Sequence, residues 1–489
     1  MKNTTPVKSI FEKHKKEATL NRIFDSCSEW EDAETYFEPD TLNASGANLP
    51  ELSEIDVVRH FTRLSERVLG IDNGTYPLGS CTMKYNPKRN DKMANLSGFR
   101  DVHPNQPVDS MSGIWTLLGQ LSNCLKELTG MDAVSLQPAA GAHGELAGLL
   151  MIRAYLKKKK QNRPIILIAD SAHGTNPASA TMAGFKCQII PTTAEGLMDL
   201  DALESAISPK VAALMVTNPS TLGLFEENIQ KIASKLHKNG SLLYYDGANL
   251  NALMGIVRPG DMGFDVMHIN THKTLSTPHG GGGPGAGPIA VKAFLKDFLP
   301  DPVIIEKDTV FGLHTPKHSI GAMKSFFGHV GILIKAYCYL VTMGPEGLRE
   351  ASENAVLNAN YVQEQLRDIF PPIFDKTCMH ECLLSGKKLK VSTFKFAKRI
   401  MDYNIHPPTL IGAGCVYFSD QFKEAMLIEP TETESKESLD ELIATFKQVY
   451  HESEYEPGQV EAAPMTAAIA RVDLGAAEID IELVVETPL

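Results

Sequence analysis

The chain has 489 residues, 43% hydrophobic and 22% charged, which suits two or three domains around a large core and excludes a disordered or fibrous protein. A formal net charge of −12 argues against nucleic acid as a partner and gives no reason to expect a membrane surface. Eight cysteines lie scattered without a Cys-x-x-Cys pair, the first two dozen residues are polar, and no apolar run reaches the roughly 18 residues of a membrane span, so the expectation is a reduced, cytoplasmic protein.

Residues 1 to about 70 read as mostly helical, with apolar side chains at three-to-four spacing over Ile55–Val68. The segment Asp72–Pro87 is dense in turn residues and hydroxyls yet too apolar for a plain linker, and a surface turn and a substrate-facing loop fit it equally well. A helix is predicted over Met111–Thr129 and a short strand over Ala133–Leu136. The small residues of Gln137-Pro-Ala-Ala-Gly-Ala-His-Gly-Glu145 then lead into a helix predicted over Glu145–Lys159. Such a lead-in makes either an anion site, with free N–H groups at a positive helix end, or a tight structural turn. The basic run Lys157–Lys160 is the solvated end of that helix.

A regular alternation follows. Ile165–Ala169, Gln188–Ile190, Val211–Val216, Leu242–Tyr245 and Val266–Ile269 are short, β-rich apolar runs separated by helical or loop segments. That pattern predicts an α/β domain with a mostly parallel sheet covered on both faces, whose ligands bind beyond the carboxyl ends of the strands. The strand ends carry His173, Thr217, Asp246 and Lys273, the last in Asn270-Thr-His-Lys273 just before the glycine run Gly280–Gly287. No strand-then-helix GxGxxG context surrounds those glycines, so nucleotide binding is disfavoured. Pyridoxal phosphate chemistry needs an exchangeable amine, a carboxylate facing the pyridine nitrogen, a flat stacking partner and a phosphate cradle. Lys273, Asp246, His173 and the Gly141–Gly144 segment supply these in turn.

Residues 300–345 read as helix and loop. Met343-Gly-Pro-Glu-Gly-Leu348 breaks the chain before a long helix over Arg349–Asp368. A smaller α+β domain follows, with a strand at Cys382–Leu384 and helices over Thr393–Tyr403 and Ser438–Tyr450. Cys378-Met-His-Glu-Cys382 has no second ligand pair at zinc-like spacing and reads as strand, not as a metal site. The expected organisation is an N-terminal helical arm and active-site loop (1–85), a large cofactor-binding domain (86–342), a small C-terminal domain (343–455) and a tail (456–489) whose structure is left open.

The motifs Tyr76-Pro-Leu-Gly-Ser-Cys-Thr-Met-Lys84, Gln137–Glu145, Ser171-Ala-His-Gly-Thr-Asn-Pro-Ala-Ser179 and Thr217-Asn-Pro-Ser-Thr-Leu-Gly223 resemble those of a known family. So do Asp246-Gly-Ala-Asn249, Asn270-Thr-His-Lys-Thr274 with its Pro-His-Gly-Gly-Gly-Gly-Pro-Gly tail, Met343–Leu348, His406-Pro-Pro408 and Ile428-Glu-Pro-Thr-Glu-Thr-Glu434. The family is the decarboxylating glycine dehydrogenases, the P-proteins of the glycine cleavage system, in their split two-subunit form. The resemblance runs to about residue 450 and is looser over 383–427. It implies a fold-type-I pyridoxal phosphate enzyme that decarboxylates glycine and passes the aminomethyl group to the lipoyl arm of the H-protein. It also implies a companion subunit, paired two and two in a heterotetramer. Transferred onto this sequence, it makes Lys273 and His272 catalytic. Lys273, Asp246, His173, Ala140, Gly141, Ala142, Thr217, Ala248 and Asn270 become cofactor contacts, and Ser80, Cys81 and Thr82 face glycine and the lipoyl arm; no metal is implied. Another fold-type-I enzyme, an aminotransferase or amino-acid decarboxylase without a carrier protein, is the alternative reading.

Overall fold

The computed structural model describes residues 52–280, 285–411 and 422–467, together with positions 9, 10, 38, 472, 475 and 479. The expected arm before residue 52, part of the glycine run and most of the tail fall outside the described residues.

A seven-stranded sheet organises the chain. Its strands are β1 (Ala133–Ser135), β2 (Ile165–Ala169), β3 (Lys186–Ile190), β4 (Val211–Thr217), β5 (Leu242–Gly247), β6 (Val266–Ile269) and β7 (Ile289–Val291). They lie in the order β1-β7-β6-β5-β4-β2-β3. From β6 through β3 all pairings are parallel, whereas β7 runs antiparallel to both β6 and β1. Every residue of β4 and β5 is buried, because both sheet faces are covered. Successive side chains serve opposite cores, as the two-residue period of a strand requires. Leu214, Val216, Leu243, Tyr245 and Met267 enter one cluster, while Ala213, Met215, Tyr244 and Val266 enter the other.

The hairpin β8 (Val303–Lys307) and β9 (Val310–His314) lies where only helix and loop were expected. Its turn places Asp308 and Thr309 at φ 50° and 68°, the left-handed pair a two-residue hairpin demands, without the Asn-Gly or Asp-Gly signal that normally announces it.

The break predicted at 343–348 is a kink inside one long helical stretch, Val330–Leu366: Gly344 adopts φ 62° and Pro345 follows it. Beyond the kink a three-stranded antiparallel sheet forms from β10 (Cys382–Ser385), β11 (Thr409–Ile411) and β12 (Ala425–Ile428), in the order β10-β12-β11. The helices Thr393–Met401 and Lys436–Tyr455 cover it. Edge-to-face rings of Phe370, Phe396 and Phe446, with centroids 5.1 to 6.1 Å apart, fill the core between. The tail opens with a short helix, Pro457–Ala462.

The 72–87 segment is strung along this second sheet. Leu78 bridges Ile428, Pro77 O accepts from Glu429 N at 3.2 Å, and Tyr76 stacks on His406 at 3.7 Å. A Cβ at Gly79 would come within 2.4 Å of the Leu427 side chain, so glycine is required for this approach. The result is a loop held by one sheet and presented to the strand ends of the other. Among the described residues no helix is long and apolar enough to cross a membrane.

Candidate active site

Lys273 is the third of four residues in a single helical turn, Thr271–Thr274, rather than in an open loop. The turn starts where β6 ends, and Lys273 N donates to Asn270 O at 3.0 Å. The lysine is buried, and its Nζ donates to the Ser80 carbonyl at 2.8 Å. Two segments nearly two hundred residues apart in sequence therefore meet at the amine.

Asp246 ends the neighbouring strand β5 and is fully enclosed. Its Oδ1 accepts from His268 Nε2 at 3.1 Å and from Ala248 N at 3.0 Å, and its Oδ2 from Asn176 Nδ2 at 3.0 Å and Thr217 Oγ1 at 3.2 Å. Burial alone would raise its pKa. The His268 charge and the hydrogen bonds outweigh that and hold the carboxylate well below its ordinary range. His268 shows the complement: burial would lower it, and Asp246 raises it above the usual imidazole value. As an imidazolium it donates Nε2–H to Asp246 and Nδ1–H to Tyr244 Oη at 3.1 Å, and that hydroxyl donates to Gly144 O at 3.3 Å. Sequence reading passed over His268 as part of an apolar run; only the β5–β6 register, which sets Asp246 opposite His268, exposes it.

Glu145 was also missed, although it closes the segment singled out as a phosphate cradle. It accepts from Thr175 Oγ1 at 2.7 Å and from Asn176 Nδ2 and Ser179 Oγ at 3.2 Å each. Burial and the neighbouring Asp246 charge raise its pKa. Asn176 Nδ2 thus bridges two carboxyl groups driven in opposite directions, which secures the ionised state for Asp246.

The helix expected from Glu145 begins four residues earlier, at Gly141, so the small residues form its first turn. Ala140 is its N-cap and offers no side-chain acceptor, leaving first-turn N–H groups of Gly141 and Ala142 for a ligand. The close packing explains the glycines: a Cβ at Gly141 would lie 1.9 Å from Asn270 Oδ1, and one at Gly144 would lie 2.8 Å from His268 Cβ. Asn270 Oδ1 itself is buried without a partner. His173 presents an exposed imidazole whose Nδ1 lies 2.9 Å from Thr175 Oγ1. Burial on its inner side and the Lys273 charge lower its pKa, so it stays neutral and flat.

These residues fit a pyridoxal phosphate. An uncapped helix end with its first-turn N–H groups suits the phosphate, an exposed imidazole suits the ring, and a carboxylate kept ionised in the core suits the pyridine nitrogen. His272 is half-buried and pushed down to about 3 by burial, with His279, Lys273 and His268 adding to the effect. It is a neutral imidazole, 4.8 Å in ring separation from His279, which was not singled out beforehand and whose Nε2 lies 3.0 Å from Cys81 O.

In the Ser80–Thr82 loop, Ser80 and Thr82 take φ of 62° and 36°. Ser80 reaches Lys273 through its carbonyl. Cys81 is half-buried, and burial raises its thiol. Thr82 is fully buried with its hydroxyl on Glu429 Oε1 at 2.5 Å, so it anchors the loop instead of lining an entrance. Of the Cys378–Cys382 stretch read as strand only Cys382 belongs to one, as the first residue of β10, and residues 378–381 form the irregular approach to it; Cys378 and Cys382 are buried thiols, Cys378 pushed up to about 12 by burial. His380 and Glu381 between them lie beside the loop, a placement the sequence did not signal.

Two family descriptions match the chain: "Glycine dehydrogenase, C-terminal domain" over residues 351–468, which includes the loosely matching 383–427, and "Aminotransferase class-V" over 144–283. The probable glycine dehydrogenase (decarboxylating) subunit 2 of Caldanaerobacter subterraneus subsp. tengcongensis is 53% identical over 437 residues, covering 88% of this chain and 89% of that protein. The protein of the same name from Kosmotoga olearia is 51% identical, covering 90% and 91%. Among solved structures, an inhibitor-bound glycine decarboxylase (P-protein) of the glycine cleavage system superposes with a TM-score of 0.70 at 21% identity, covering 85% of this chain and 94% of that one. A cysteine desulfurase from Escherichia coli gives 0.61 at 13% identity, covering 79% and 98%. The aminotransferase-like fold and identity above one half along nearly all of the sequence together make this chain a member of the glycine dehydrogenase (decarboxylating) subunit 2 family.

Proposed function

We propose that the chain is the pyridoxal-phosphate-bearing subunit of a glycine decarboxylase, which releases the glycine carboxyl as carbon dioxide and passes the aminomethyl group to the lipoyl arm of the carrier H-protein. The observation that carries this reading is Lys273, buried on the Ser80 carbonyl one strand away from an Asp246 kept ionised by His268. The bound cofactor supplies an aldehyde that holds amines and a pyridinium ring that accepts the electron pair left by the departing carboxyl.

The chain's own residues do the rest. Asp246, held ionised, would accept the ring N–H and keep that nitrogen protonated. His173 would stack on the ring, and the first-turn N–H groups at Gly141 and Ala142, with the Asn270 side-chain amide, would hold the phosphate. Lys273 would be the amine that holds the cofactor, and with its Nζ free it donates to Ser80 O. His272, neutral at working pH, is a base within the site. Ser80 and Cys81 border the path of glycine and the lipoyl arm. In this reading residues 86–342 form the cofactor-bearing domain and 343–455 the smaller one, and the active protein pairs with a companion subunit, two of each. A cytoplasmic setting agrees with the free thiols of all six cysteines among the described residues.

The test is exchange of labelled bicarbonate into the glycine carboxyl, dependent on lipoylated H-protein. No exchange with both subunits and the carrier present refutes the reading.

A further inference from the structure

His380 and Glu381 lead into β10 and Glu429 follows β12, and the antiparallel pairing of Cys382 with Ile428 brings all three together. Each is fully buried. Glu381 Oε2 accepts Ser80 N–H at 2.6 Å; Glu429 accepts Thr82 N–H at 2.9 Å and the Thr82 hydroxyl at 2.5 Å. The two carboxyl groups therefore grip both ends of the loop whose first carbonyl holds Lys273. His380 Nε2 stands 3.7 Å from Glu381 Oε1 and 3.8 Å from Glu429 Oε1, beyond hydrogen-bond length. Neither His380 nitrogen nor Glu381 Oε1 has a partner. The facing atoms of the three lie within 4.8 Å of one another, too close for two ionised carboxylates in a site closed to water.

We propose that Glu381 and Glu429 share one proton at neutral pH and act, through the Ser80–Thr82 loop, as positioning residues for Lys273. The inference rests on the cofactor-site reading above. Ser80 links the two directly, since its N–H points to Glu381 and its carbonyl receives the Lys273 ammonium. With one proton retained the pair carries a single negative charge. Losing that proton doubles the charge and strengthens the hold on a charged, unreactive lysine.

The groups facing the pair agree with this count. His380 is pushed down to about 3 by burial, with Lys273 and Lys84 adding to it, so it brings no compensating charge. Burial lowers His279 and raises the thiols of Cys81, Cys378 and Cys382, leaving all four neutral. The cations are Lys273 and Lys84, and Lys84 is already bound to Glu432 at 2.7 Å. Burial, then the opposing carboxylate, pushes Glu381 well above the ordinary range, and burial raises Glu429 as well.

The experiment uses the full chain loaded with pyridoxal phosphate and assembled with its companion subunit. Infrared difference spectra at neutral pH, wild type minus variant, are expected to show a protonated carboxyl lost in Glu381→Gln and again in Glu429→Gln, because either change frees the remaining carboxylate to ionise. The pH titration of the visible lysine–cofactor band is expected to show an alkaline step in wild type that both variants lack. Thr82→Val keeps both carboxyl groups and removes a donor from Glu429, so it moves that step upward by about one pH unit. Should the glutamine variants not fold, the Thr82→Val shift decides. Unchanged carboxyl spectra, or a step that stays in place in the variants, overturns the proposal. So does a stoichiometric divalent metal present in wild type and lost in His380→Ala. Glycine–bicarbonate exchange in the same samples separates the two readings: a carboxyl signal without exchange refutes the assigned reaction alone, and exchange with wild-type titration in every variant refutes the shared proton alone.

Discussion

Asp246 and His268 face each other across the parallel strands β5 and β6, and their side chains close to 3.1 Å with both residues buried. The pair puts a fixed negative charge at the carboxyl edge of the sheet, where a ligand ring nitrogen would sit. Asn176, Thr217 and the Ala248 amide complete its acceptor set, so Asp246 cannot swing away.

His268→Phe leaves a buried carboxylate without its cation and should cost about 3–5 kcal/mol in the cofactor-free chain, measured by urea unfolding. The pH dependence has a defined sign. Asp246 is held below its unfolded value, so its contribution is present above about pH 3.9 and is lost as pH falls through the lower folded value. His268 is held above its unfolded value, so its contribution is full below about pH 6.5 and is lost as pH rises through the higher folded value. The stability gap between wild type and His268→Phe should be widest between about pH 4 and 6.5. A gap that does not vary with pH rules out the ion pair.

Lys273 is expected to be the residue that borohydride fixes to the cofactor. Reduction of the loaded wild type should erase the visible band and leave the label on the peptide carrying Lys273. Lys273→Ala should show neither band nor label, while unfolding as wild type does to within about 1 kcal/mol, since its one side-chain bond is to a loop carbonyl. A label found on another lysine would overturn the assignment.

The strand ends of the large sheet were legible because Ile165–Ala169, Val211–Val216 and Leu242–Tyr245 are unbroken apolar runs and Val266–Ile269 nearly so, and such runs state both their buried faces and where they stop. That was enough to nominate Asp246 and Lys273. His268 escaped because a histidine inside Val266–Ile269 looks like an irregularity until the register with β5 is known. Glu381 and Glu429 escaped for a related reason. They flank antiparallel partners whose pairing no local pattern announces, and the intervening Cys378–Cys382 spacing drew attention to sulfur instead. The β8–β9 hairpin was hidden by its turn, Asp308-Thr309, which adopts a glycine-like backbone without glycine. Hydrophobic pattern reports burial along one segment; residues that become functional by meeting across strands need the register.

His272 should not set the acid limb of the pH–rate profile. It is held at about 3 by burial, with His279, Lys273 and His268 reinforcing the shift, so it carries no charge across the working range. His272→Phe should lower the rate of glycine-dependent exchange about 100-fold if the imidazole moves a proton there. The midpoint of the acid limb should stay where it is in wild type. A midpoint that moves with the substitution would mean that this imidazole titrates in the working range.

Gly141→Ala tests whether the first helical turn and the lysine turn are packed as one unit around the cofactor phosphate. The added Cβ would lie 1.9 Å from Asn270 Oδ1 and 2.6 Å from its Cγ, so Asn270 must shift. The Asn270 carbonyl accepts from Lys273 N at 3.0 Å, and a shift therefore reaches the lysine as well as the phosphate cradle. The expected cost is about 1–3 kcal/mol of stability, accompanied by faster loss of cofactor on dilution. Asn270→Ala in the same chain should relieve the clash, making the double variant less destabilised than the sum of the singles by at least about 0.5 kcal/mol. Gly119→Ala supplies the comparison: its Cβ would meet the Phe311 ring at 2.0 Å, an equal crowding placed against the β8–β9 hairpin. That variant should lose stability while cofactor release keeps its wild-type rate. If both alanines speed release equally, the effect at Gly141 is general destabilisation and not a property of the phosphate cradle.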